Sequence, residues 1–223
     1  MNTPVHSRTS WPLLLPVLAS LAALPVSAEL VTLEFGGQVT SIFNPLGAVS
    51  GSLIQTGDPV RLSIRYDTST PDHRPDANWG GYQSPGWLRV NIRDLTFEQA
   101  NGVLVEVMNG ANGNQHMFQA TADGVMTAWP AALAGFSDPR LFVGIWETQA
   151  PIDLLSSAAL PTALDVTRAD MAVGEVSVSS GNLNAYTVQF QISPIPEPTV
   201  GRLLLWGGLI AGWHVRRRHP GRG

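Results

Sequence analysis

Alternation of apolar and polar side chains with a period of two is the feature that most narrows what this chain can become. Val60-Arg61-Leu62-Ser63-Ile64-Arg65-Tyr66, Leu88-Arg89-Val90-Asn91-Ile92-Arg93 and Tyr186-Thr187-Val188-Gln189-Phe190-Gln191-Ile192 all carry it. Successive side chains of a strand point to opposite faces, so each segment would bury one face of a sheet and wet the other. Runs rich in branched and aromatic residues extend the series: Leu30 to Phe35, Val39 to Phe43, Val103 to Met108, Met117 to Ala120, Leu141 to Trp146 and Val173 to Val178. Turn signals separate them at Phe35-Gly36-Gly37, Gln55-Thr56-Gly57-Asp58-Pro59, Asn109-Gly110-Ala111-Asn112-Gly113 and Ser180-Gly181-Asn182. Many short strands at this spacing predict an all-β fold, an antiparallel β-sandwich or jelly-roll-like single domain, rather than a parallel sheet with crossover helices. One short helix is expected from Ile152 to Ala159, ending before Pro161. No strict internal repeat is visible.

Both ends read as processing signals and stand outside this pattern. At the N-terminus, Arg8 leads into the apolar run Trp11 to Leu24, followed by Pro25-Val26-Ser27-Ala28. Compact side chains at Val26 and Ala28 fit a signal peptidase, so 1–28 reads as a signal peptide cut between Ala28 and Glu29. At the C-terminus, 194–223, Pro196-Glu197-Pro198 precedes an apolar stretch from Val200 to Val215 and then Arg216, Arg217 and Arg218. As a helix that stretch is about 24 Å long at roughly 1.5 Å per residue, a marginal span of a core about 30 Å thick. Arg202 and His214 lie close enough to its ends to snorkel. The arginine cluster acts as a stop-transfer signal that stays cytoplasmic, while the signal peptide sends 29–193 outward; the two agree on one topology.

A Pro-Glu-Pro tripeptide, a short apolar span and a terminal arginine cluster together resemble the PEP-CTERM sorting domain of Gram-negative exported proteins. The resemblance implies an exosortase substrate that passes transiently through the inner membrane. It implies cutting near Pro196, Glu197 and Pro198, and release to the cell surface or beyond, in species that make exopolysaccharide and biofilm matrix. Within the domain, Gly37 to Ile42, Gly57-Asp58-Pro59-Val60 and Tyr66 to Asp72 are similar to segments of uncharacterised PEP-CTERM proteins, and bring no activity with them.

Charge and composition exclude several classes. The stretch 29–193 holds seven arginines, no lysine and sixteen acids, a net charge of −9, which repels nucleic acid and anionic lipid headgroups. The absence of cysteine removes disulfides, thiolate metal sites and cysteine nucleophiles. No His-Glu-x-x-His helix, Gly-x-Ser-x-Gly elbow or phosphate-binding loop is present, and no cofactor is implied. His73 and His116 fall beside turn-rich segments and are expected to be solvated.

One loop carries the candidate ligand chemistry. Asp67, Asp72, Asp76 and Asn78 are hard oxygen ligands, weak candidates for calcium, but Gly80 and Trp87 stand where an EF-hand loop needs further oxygens. Turn capping is the alternative. Trp79, Tyr82 and Trp87, beside Asn78 and Gln83, are the candidate glycan-stacking rings, which would associate with exopolysaccharide; alternatively they cover the sheet edge or enter the core. The leading expectation is a non-catalytic surface or matrix protein. The alternatives are a secreted glycan hydrolase using paired carboxylates, which sequence spacing alone leaves open, or a calcium-binding surface module.

Overall fold

A computed structural model describes residues 29–45, 47, 49–74, 76–110, 115–148, 154–180 and 183–195. Its strands are β1 (Leu30–Phe43), β2 (Pro59–Asp67), β3 (Trp79–Ser84), β4 (Trp87–Ile92), β5 (Leu95–Gln99), β6 (Val103–Gly110), β7 (Gln115–Asp123), β8 (Ser137–Glu147), β9 (Met171–Ser180) and β10 (Leu183–Ser193). Every ladder is antiparallel, and the order across the sheet is β3-β6-β7-β8-β9-β10-β1-β2-β4-β5.

Strand spacing predicts a sandwich or jelly roll; the ladders instead join all ten strands into one antiparallel sheet, strongly curled into a half-barrel. The facing layers are therefore two parts of the same sheet. β4 lies against β7 and β8, β5 lies against β8, and the Tyr66 and Phe118 rings meet across the interior at 6.2 Å. The physical reason is β1. Its Leu30 to Gln38 pair with β2, and its residues from Gly36 to Phe43 pair with β10, so one long strand couples the two parts. Gly36-Gly37, read as a turn, does not break it. A Cβ on Gly37 would stand 2.2 Å from the Gln191 carbonyl oxygen, so the missing side chain is what lets β10 approach so closely.

The alternation seen in sequence is the alternation of burial. Val60, Leu62, Ile64 and Tyr66 of β2 and Leu88, Val90 and Ile92 of β4 face inward, against Val105, Val107, Phe118, Val143 and Ile145 from the far side. Each fully buried side chain of this size contributes about 1.5–3 kcal/mol of transfer free energy. Connections complete the interior: Val49 and Ile54 between β1 and β2, Leu133 between β7 and β8, and Leu154, Leu155, Leu160 and Val166 between β8 and β9 are all buried. Both sheet edges are partly covered, which limits strand-to-strand association. Glu98 of β5 exchanges backbone bonds with Thr127 and Ala128, and His73 donates its N–H to Gly81 of β3 at 2.9 Å.

The expected helix is not found in its described part. Residues 154 and 156–159 form bends, and among the described residues the helical turns are two short 3-10 segments, Ala131–Leu133 and Val166–Arg168. Leu154 and Leu155 point into the core while Glu147 Oε2 accepts the Leu154 N–H at 2.8 Å, so burial and a side-chain bond replace a helical ladder there. Residues 152, 153, 111–113 and 181–182 of the sequence expectations lie outside the described residues.

Candidate functional site

The segment from Asp67 to Trp87 is part loop and part strand, because Trp79–Ser84 pairs with β6 as an edge strand. Its aspartates are turn caps. Asp67 Oδ1 accepts the Ser69 N–H at 2.8 Å and the Ser69 hydroxyl at 2.7 Å, and these bonds hold its carboxyl below the usual range. Asp72 Oδ1 accepts the N–H groups of Arg74 at 2.8 Å and Gly81 at 2.9 Å, and Asp76 Oδ1 accepts that of Asn78 at 2.8 Å. Such local bonds are what favour aspartate in turns. Among the described residues no three His, Asp or Glu side chains converge as a metal site requires.

The three rings stand apart. Trp79 and Tyr82 are three residues apart on one strand and so lie on opposite faces. Tyr82 is buried, its ring lies over Gly80, and its hydroxyl donates to the Ala158 carbonyl at 2.8 Å. Burial raises its phenol pKa, with the Asp72 charge adding to the rise. Trp87 opens β4, pairs with Arg65 and lies half-buried with the Arg89 guanidinium 4.8 Å from its ring centre. Trp79 is outside, 36% exposed, with the Arg74 guanidinium 5.2 Å from its ring centre. Arg74 also pairs with Glu106 at 2.9 Å.

Trp79 belongs instead to a row of outward side chains running across the sheet. The register pairs Trp79 with Met108, Met108 with Met117, Met117 with Trp146 and Trp146 with Met171. Their strand neighbours Val107, Phe118 and Ile145 face the core, which places the row on the outer face. Trp146 lies along the sheet: its ring atom Cη2 is 1.9 Å from where a Cβ on Gly144 would stand, and the Phe142 ring is centred 6.0 Å away. This row is not among the candidate residues that the sequence singles out. Its signal is present in Leu141 to Trp146, which is free of polar side chains in both phases of the strand, and in Val103 to Met108, where only Glu106 interrupts the outward phase.

The two histidines part company. His73 is exposed, but His116 is buried, because on β7 it is in phase with the inward Phe118 and Ala120. Its register partner is Glu147, which is 1% exposed and holds the Leu154 N–H. Among the described residues, Glu147 is the most buried acid, and a histidine is its register partner on β7.

Glu29, the residue after the expected signal-peptidase cut, is exposed, and its carbonyl accepts the Thr68 N–H at 3.0 Å. Ala28, Pro196, Glu197, Pro198, Arg216, Arg217 and Arg218 lie outside the described residues. Comparison with family models, with curated proteins and with solved structures finds no match to this chain.

Proposed function

We propose that this chain is an exported, non-catalytic surface or matrix protein with a sandwich-like ectodomain, sorted by a C-terminal PEP-CTERM signal and processed by exosortase. The observation that carries the reading is the fixed order of Pro196-Glu197-Pro198, an apolar stretch from Val200 to Val215, and Arg216, Arg217 and Arg218. The fold is compatible with both cuts. Signal peptidase acting before Glu29 would leave β1, which starts at Leu30, whole. Beyond Ser193, the last residue of β10, Pro194 and Ile195 are exposed and lead directly to the tripeptide. Proline restricts that tether to extended conformations and removes backbone donors, which favours its entering a protease as an open strand.

An acidic domain with a net charge of −9 is a poor partner for nucleic acid, and neutral or weakly charged exopolysaccharide is the matrix component it would meet after release. The test is mass spectrometry of the mature C-terminus from hosts with and without exosortase. The expected product ends near Pro196 to Pro198 in the first and retains Arg216 to Arg218 in the second. The same full-length C-terminus in both hosts would overturn the proposal.

A further inference from the structure

We propose that the outward row of Trp79, Met108, Met117, Trp146 and Met171 is a membrane seat, lying against the outer surface of the bilayer while the C-terminal segment holds the protein there. This rests on the reading of that segment given above, and adds what the folded domain does beside the lipid before the tail is cut.

The row spans four strand spacings, about 19 Å at roughly 4.8 Å each. Its ends are exposed, Trp79 at 36% and Met171 at 49%, while Met108 and Trp146 are half-buried and Met117, at 8%, is packed between them and supports the face from below. Its position relative to the chain's exit selects the occupant. Val173 pairs with Gln191, so Met171, two residues earlier, stands level with Ser193, two residues later. The row thus ends level with the end of β10, and Ile195, two residues further along the chain, is 44% exposed. From Pro194 to Thr199 the chain can extend at most about 20 Å, at roughly 3.3–3.6 Å per residue, before the apolar stretch begins at Val200. A bilayer holding that stretch is therefore within reach of the row.

The side chains have the chemistry of that boundary. Tryptophan concentrates at membrane interfaces, and methionine adapts its shape to an irregular apolar partner. At the Trp79 end, Arg74 and its ion-pair partner Glu106 offer both signs of charge, and exposed Arg168 lies three residues before Met171. Both signs match a zwitterionic headgroup, whereas the domain's net charge of −9 opposes an anionic one. The row itself has no amide, hydroxyl or carboxylate with which to bond sugar hydroxyls, so lipid is favoured over polysaccharide.

Because the chain has no cysteine, single labels test the seat in the full-length protein. Met171→Cys, Val125→Cys and Leu204→Cys would each carry a polarity-sensitive fluorophore after reconstitution into phosphatidylcholine vesicles containing a nitroxide-labelled headgroup lipid. Val125, 79% exposed just beyond β7, is the distant control. The expected result is a blue shift and nitroxide quenching at Leu204→Cys and Met171→Cys, with neither at Val125→Cys. Quenching at Leu204→Cys with Met171→Cys no different from Val125→Cys overturns the seat alone and leaves the sorting signal standing. No quenching at Leu204→Cys overturns both. A Met171→Cys blue shift that disappears when the protein is diluted into excess lipid assigns the row to a second copy of the chain, and that too overturns the seat.

Discussion

One rung of the sheet reads Trp79, Met108, Met117, Trp146 and Met171 along one part, and Arg61, Asn91 and Thr96 along the other. Both stretches face outward, and both back onto the same core. In β2 and β4 the outer face is Arg61, Ser63, Arg65, Arg89 and Asn91, as expected of a sheet with one wet side. In β6 to β9 the outer face is apolar at this level, with Met117 buried in the middle of the row and Trp79 and Met171 exposed at its ends. Folding explains the inner face of both parts. The exposed ends of the outer row, Trp79 and Met171, are what folding leaves unexplained, and that difference is the reason to assign the row a partner.

The comparison breaks first if the inner faces are not equally essential. Phe118→Ala, at a fully buried ring facing Tyr66, is expected to cost about 3–5 kcal/mol, read as a large fall in the urea midpoint by circular dichroism. A loss below about 1 kcal/mol would mean that the curled parts do not press together.

Tyr66 sharpens the same point from the opposite layer. Its hydroxyl donates to the Pro161 carbonyl, and Tyr66→Phe is expected to remove about 1 kcal/mol. Burial holds the Tyr66, Tyr82 and Tyr186 phenols above the ordinary value of 10.0. Their raised folded pKa favours the neutral form, so this contribution is complete below about pH 10 and is lost as pH rises through and beyond the unfolded value. Phenolate absorbance and loss of β signal should therefore appear together in an alkaline titration; phenolate formed in a still-folded chain would contradict the packing.

The smallest effects belong to the outer faces. Arg89→Ala, which breaks a half-exposed pair with Glu98, and Met171→Gln should each change stability in buffer by no more than about 1 kcal/mol. A larger loss from Met171→Gln in buffer would mean that the row is structural.

Legibility followed the same division. Val60 to Tyr66 and Leu88 to Arg93 were readable because one-sided burial writes a period of two into the chain. Trp79–Ser84 was read as loop, since Gly80-Gly81 and Pro85-Gly86 are turn signals by local chemistry. Leu95–Gln99 passed unnoticed because it is short and follows β4 after two residues. The aspartates were legible as turn caps, the alternative to calcium, because an aspartate bonds backbone a few residues away. The arrangement of the aromatic rings was not, because nearness in sequence does not say which face of which strand a ring occupies.

By itself the sequence determined the antiparallel β class, the inward residues of the alternating strands, the acidic and cysteine-free chemistry, and the signal-like pattern at each end. These depend on composition and on periods of a few residues. Tertiary structure decided that the strands form one curled sheet, that His116 stands buried beside Glu147, and that Trp79, Met108, Met117, Trp146 and Met171 fall on one line. Each depends on which strands pair and in what register, and register is set by long-range packing of buried faces that no local pattern encodes.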